Sequence, residues 1–111
     1  METVLSKRRR LLKERRRREA LRRLGNAAEL LYAEGARDVY IFGSVIKPLA
    51  FDERSDVDIA VSGLSGERYV SAVKKLEEVL GEIPFDLIFL EERVRPEVKN
   101  RIMKEGIRWM H

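Results

Sequence analysis

Three aspartates and a glycine-serine pair are the residues of this chain whose types and spacing could do chemistry. Asp56 and Asp58 stand two apart, interleaved with Val57, Ile59 and Val61. Successive side chains on a strand point to opposite faces. The three apolar residues therefore share one face and suit a core. Both aspartates share the other, with Cα atoms roughly 6.5 Å apart. Like charges at that spacing repel, and a purely structural sheet gains nothing from them. A divalent cation turns the repulsion into attraction, because hard cations prefer carboxylate oxygens. Asp86 is the single acid in the apolar run Phe85-Asp86-Leu87-Ile88-Phe89-Leu90, where a carboxylate is costly unless paired, hydrogen-bonded or metal-bound. If that run lies beside the first in matching register, the three carboxylates form one cluster. Such a cluster can hold two divalent ions about 3.5–4 Å apart, activating an attacking oxygen and stabilising a leaving one.

Gly43-Ser44 supplies the complement. Glycine permits a tight turn and close approach of the backbone to a phosphate. Exposed backbone N–H groups and the Ser44 hydroxyl can then bind phosphate oxygens. Alone the pair is a common turn. Its weight comes from its place, at the end of the apolar strand 39–42 and one loop before the Ser55-Asp56-Val57-Asp58 strand.

The elements that must position these groups follow from periodicity. Residues 1–34 read as one long helix, or an arm followed by a helix. Leu21, Leu24, Ala28 and Leu31 recur at helical spacing and should pack on a sheet. Before them apolar residues are sparse: Val4 and Leu5, then Leu11 and Leu12 seven positions on. Arg15 to Arg18 surround the helix with charge, and that turn is expected in solvent. Gly35 suits the helix stop. The loop to Arg54 contains Pro48, which argues against regular pairing there. Ser65 could cap a second helix whose apolar face is Val70, Val73, Leu76, Val79 and Leu80, stopped by Gly81. Residues 84–90 form a third strand, expected to be central because it is nearly all apolar. Pro96 opens a last helix ending near Gly106, and residues 107–110 add a short strand. The expected fold is α/β (α+β), a small mixed sheet flanked by helices. It divides into a basic helical arm, 1–20, and a domain, 21–111.

Composition narrows the function classes. At 111 residues and 44% hydrophobic content this is one globular unit with a single core. No apolar run approaches a membrane span, and no apolar stretch follows the basic N-terminus to make a secretory signal. The absence of cysteine removes disulfides and thiolate metal sites and fits a cytoplasmic protein. The one histidine, His111, ends the sequence, which argues against a Ser-His-Asp enzyme. Residues 1–23 hold eleven Lys/Arg against three Glu, a balance of +8, while the remainder balances at −4. That asymmetry points to contact with a polyanion or an acidic partner. Tyr40 and Trp109 read as core or rim aromatics rather than base-stacking platforms.

The combination of Gly43-Ser44, Ser55-Asp56-Val57-Asp58 and Asp86 resembles the nucleotidyltransferase (polymerase beta-like) fold. More narrowly, it resembles the minimal nucleotidyltransferases, small proteins paired with HEPN-domain toxins. The likeness covers residues 21–110. It implies that Gly43 and Ser44, with Lys47 and Ser55, bind the nucleotide, and that Asp56, Asp58 and Asp86 are catalytic ligands of Mg2+, two ions in all. The implied reaction moves AMP from ATP to a hydroxyl, in the paired systems a tyrosine of the HEPN partner, which is thereby silenced. Lys47 and Pro48 stand where the family commonly has Arg-Gly, and the loop before Asp56 is one residue longer. A chain this small has no acceptor-binding domain, which favours an acceptor on a partner protein and a hetero-oligomer with it. The alternative is an antitoxin that neutralises by stoichiometric binding through Leu5, Leu11, Leu12 and the basic arm. Nucleic-acid binding by the arginine run is a third, less favoured reading.

Overall fold

The computed structural model describes residues 2–47, 50–52 and 54–110. Pro48, for which the sequence forbids regular pairing, lies outside them, as does His111. The chain runs α1 (Val4–Ala33), β1 (Asp38–Phe42), β2 (Val57–Ser62), α2 (Tyr69–Leu80), β3 (Phe85–Phe89), α3 (Pro96–Glu105) and β4 (Ile107–Trp109). Single 3-10 turns stand at Ser44–Ile46 and Gly66–Arg68.

The residues 1–34 form a single helix from Val4 onward. Thr3 caps it, its side chain accepting from the Ser6 N–H at 3.0 Å. Only the second half has a buried stripe, Ala20, Leu24, Ala27, Ala28 and Leu31. Gly35 at φ 112° ends it, since a left-handed residue lets the chain turn back.

The sheet order is β3-β2-β1-β4. β1 pairs antiparallel with β2 and with β4, whereas β2 and β3 are parallel. A parallel pair needs a crossover, which α2 supplies. The strand alternation sorts two layers. Val39, Ile41, Val57, Ile59, Val61, Leu87 and Phe89 face the main core under α1 and α2. Ala60, Leu90 and Ile102 form a second cluster with Tyr40, Phe42, Ile88 and Val98 on the α3 side. Trp109 packs at the rim of the main core.

Three expectations are corrected. β3 is an edge strand, not a central one. Its apolar run reflects cover on both faces, with Leu87 and Phe89 in one cluster and Ile88 and Leu90 in the other. On α2 the buried stripe is Ala72, Leu76 and Leu80, and Val70 is 64% exposed. Leu76 and Leu80 stand where expected and Val73 and Val79 pack against the same core, so Val70, in the first turn after the 3-10 segment, is the one residue of the expected face that lies off it. Ser65 opens that turn without a side-chain capping bond.

Candidate active site

β1 delivers the glycine-serine pair to the acids. Its last residue, Phe42, is the Cα partner of Asp58. Gly43 follows at φ 86°, a left-handed conformation that side-chain-bearing residues seldom adopt. A Cβ there would also overlap Asp58 Oδ2. Conformation and crowding thus both require glycine, and the carboxylate lies directly against the turn. Ser44 opens the 3-10 turn, with the Lys47 N–H donating to its carbonyl at 3.0 Å. The first N–H groups of such a turn have no partner within it, so the turn itself leaves unused the N–H of Ser44, a partly exposed residue. Val45 is fully buried and anchors the turn. Arg17 of α1 is half-buried and donates from Nε to the Val45 carbonyl at 2.7 Å. The solvated arginine turn expected from sequence is therefore only partly so. This arginine holds the Gly43-Ser44 turn in place.

The acids meet through register. Asp58 and Asp86 are Cα partners across the parallel β2–β3 ladder. Both lie on the α3 side of the sheet, since their neighbours Val57, Ile59 and Leu87 point into the main core. Asp56 is exposed just before β2 begins. The half-buried Asp58 carboxyl is pushed up to about 6, first by burial and then by the charges of Asp86 and Asp56, while Arg101 pulls the other way. The three acids therefore share one electrostatic neighbourhood. They do not converge on one point: among the described residues, no three acidic or imidazole side chains are gathered closely enough to form a ready-made cation site. Mutual repulsion between like charges favours that spread. The donor set still fits a hard divalent cation. Its oxygens are carboxylates, and the surplus negative charge at Asp58 has no ion pair among the described residues.

The remaining sequence candidates sit around this core. Lys47 is exposed on the loop after the turn. Ser55 is tied to Asp52: the Asp52 N–H donates to its Oγ at 3.1 Å, and its hydroxyl donates back to Asp52 Oδ1 at 3.2 Å. It closes the loop that leads into Asp56. Sequence reading missed Arg17 and Arg101. Arg101 is exposed on α3, one position before the buried Ile102, and its charge reaches Asp58. Helical spacing alone could have placed it on the flank of that helix, but not near Asp58.

A family model described as "Polymerase beta, Nucleotidyltransferase" matches residues 28–110, the stretch that carries both strands of acids and the glycine-serine turn. The chain belongs to the polymerase beta nucleotidyltransferase family. Among solved structures, this nucleotidyltransferase is similar to one described as a "putative minimal nucleotidyltransferase", with a TM-score of 0.63 and 29% identity, over 80% of this chain and 92% of that one. No curated protein matches it significantly. The mixed sheet with its long first helix is thus the nucleotidyltransferase fold, and nucleotidyl transfer in general is the function that the family supports.

Proposed function

We propose that this nucleotidyltransferase moves AMP from ATP, with Mg2+, to a hydroxyl of a partner protein, a HEPN-domain toxin that it thereby silences. The observation that carries the reading is the pairing of Asp58 with Asp86 beside Gly43. The N–H and hydroxyl of Ser44 would hold phosphate oxygens, with Lys47 adding positive charge. Asp56, Asp58 and Asp86 would hold the magnesium, which supplies polarisation of the α-phosphate and neutralisation of the departing charge. The acceptor oxygen attacks the α-phosphorus, the bond to the bridging oxygen breaks, and pyrophosphate leaves. Asp86, exposed at the sheet edge, would take the hydroxyl proton. Arg101, whose charge reaches Asp58, would meet phosphate oxygens with a planar fork that Lys47 lacks.

The test is co-expression with the protein encoded beside it, followed by intact-mass measurement of that partner. Wild type should add the mass of AMP, and the Asp56→Asn/Asp58→Asn variant should add nothing. Equal masses with both variants would refute the enzymatic reading. A second reading, neutralisation by binding alone, is favoured by the exposed Leu5, Leu11 and Leu12 of α1. It requires the acid variants to neutralise fully.

A further inference from the structure

Arg17 sits on the Val45 carbonyl, one residue beyond Ser44, so α1 reaches the catalytic end of the sheet at Arg17. The thirteen residues back to Val4 remain helical and overhang that end by about 20 Å. One stripe of α1, along the overhang and on past Arg17, lines a groove. Arg9, Leu12, Arg16, Glu19 and Arg23 recur at three- and four-residue spacing and form one wall of this groove, of about 990 Å³. Leu5 continues the stripe outward. Phe51, Asp52, Ser55, Glu82, Ile83 and Pro84 belong to the other wall, so the groove passes Ser55, the residue before Asp56.

The two ends of this groove differ in charge. At the inner end Glu19 is held at about 2 by Arg22 and Arg23, and Arg23 also donates to the Leu80 carbonyl. At the outer end Arg9 and Arg15 have no ion pair among the described residues, and Lys13 lines the groove within electrostatic reach of Asp52 in the facing wall. There Leu5 and Leu12 are 65% and 53% exposed, with Val4 and Leu11 exposed alongside. Aliphatic side chains left in water between cations suit a surface that is both apolar and acidic.

We propose that this face docks an acidic amphipathic helix of a partner protein, and so brings an acceptor to the catalytic end. Its apolar stripe would cover Leu5 and Leu12, and its carboxylates would meet Arg9, Lys13 and Arg15. The proposal rests on the partner-acceptor reading only for what is delivered; docking itself needs no catalysis. Two other occupants fit less well. The aromatic ring in the groove wall, Phe51, is 2% exposed and offers no stacking platform for RNA bases. A second copy would bring together two N-terminal stretches, residues 1–23, each of balance +8.

The test is fluorescence anisotropy with the full chain, without nucleotide, at about 0.15 M salt, where surface charge is screened beyond about 8 Å. One labelled probe is a helical peptide with leucines at i, i+3, i+4 and i+7 and glutamates elsewhere. The others are the same composition scrambled to destroy the stripe, and a single-stranded RNA. The stripe peptide should bind at least tenfold tighter than either control. Leu5→Ser/Leu12→Ser and Arg9→Glu/Lys13→Glu should each weaken it about tenfold, with melting temperatures unchanged. Equal binding of the scrambled peptide, tighter binding of RNA, indifference to the leucine pair, or no binding at all would overturn the proposal. So would sedimentation as a dimer that the leucine pair dissolves. Because no hydroxyl acceptor or ATP is present, none of these outcomes depends on whether the chain transfers AMP.

Discussion

Asp58 and Asp86 face each other as direct partners across a parallel ladder, with no counter-ion paired to either among the described residues. Sheets usually avoid like charges at such positions. Here the repulsion is concentrated on the less exposed member, Asp58, whose carboxyl rises to about 6.

That rise has a stability consequence of definite sign. An acid with a folded pKa above its ordinary 3.8 binds more protons folded than unfolded between pH 4 and 6. Its favourable contribution is complete below about pH 4 and is lost as pH rises through about 6. In chelator, urea denaturation should show wild type losing about 2–3 kcal/mol relative to Asp58→Asn between pH 4 and pH 7.5. Parallel pH profiles for the two proteins would contradict this.

Gly43→Ala should fail for two reasons at once, the φ of 86° and the overlap with Asp58 Oδ2. The expected loss is about 1–3 kcal/mol in stability, from backbone strain. Affinity for ATP measured by calorimetry should fall at least tenfold, because the turn must move away from the acids.

Removing Arg17 should act at a distance from the nucleotide. Arg17→Ala leaves the carbonyl of the buried Val45 without its side-chain donor, at a cost of about 1–3 kcal/mol. Hydrogen exchange at Ile46 and Lys47, whose N–H groups bond within the turn, should quicken in this variant and not in Arg18→Ala, whose side chain is exposed. For the same reason, an arm deletion meant to spare the site should stop at residue 14.

Arg101 offers a separate check. Arg101→Ala takes away the cation that lowers the Asp58 carboxyl, so the Asp58 titration followed by carbon-13 NMR should move to higher pH. ATP affinity should fall about tenfold if the guanidinium also meets phosphate, since bonds to charged groups contribute about 1.5–3 kcal/mol. An unmoved titration would place Arg101 outside the site.

Much of this was legible in the sequence because it was local. The alternation of Val57, Asp58, Ile59 set the faces of β2, Gly35 and Gly81 marked helix ends, and Pro96 with Gly106 bounded α3. What escaped depended on contacts between distant segments. Nothing in the run Arg15 to Arg18 distinguishes Arg17, whose partner lies 28 residues on. Arg101 acquires meaning only once α3 lies on the face that holds Asp58. β3 reads as central because burial on two faces by helices leaves the same apolar signature as burial between strands.

The most direct measurement uses ATP labelled at either the α- or the γ-phosphate, with magnesium, this chain and the protein encoded beside it. The α label should pass to the partner and the γ label should leave as pyrophosphate, with neither transferred by Asp58→Asn. Transfer of the γ label, or transfer of the α label undiminished in Asp58→Asn, would contradict the account.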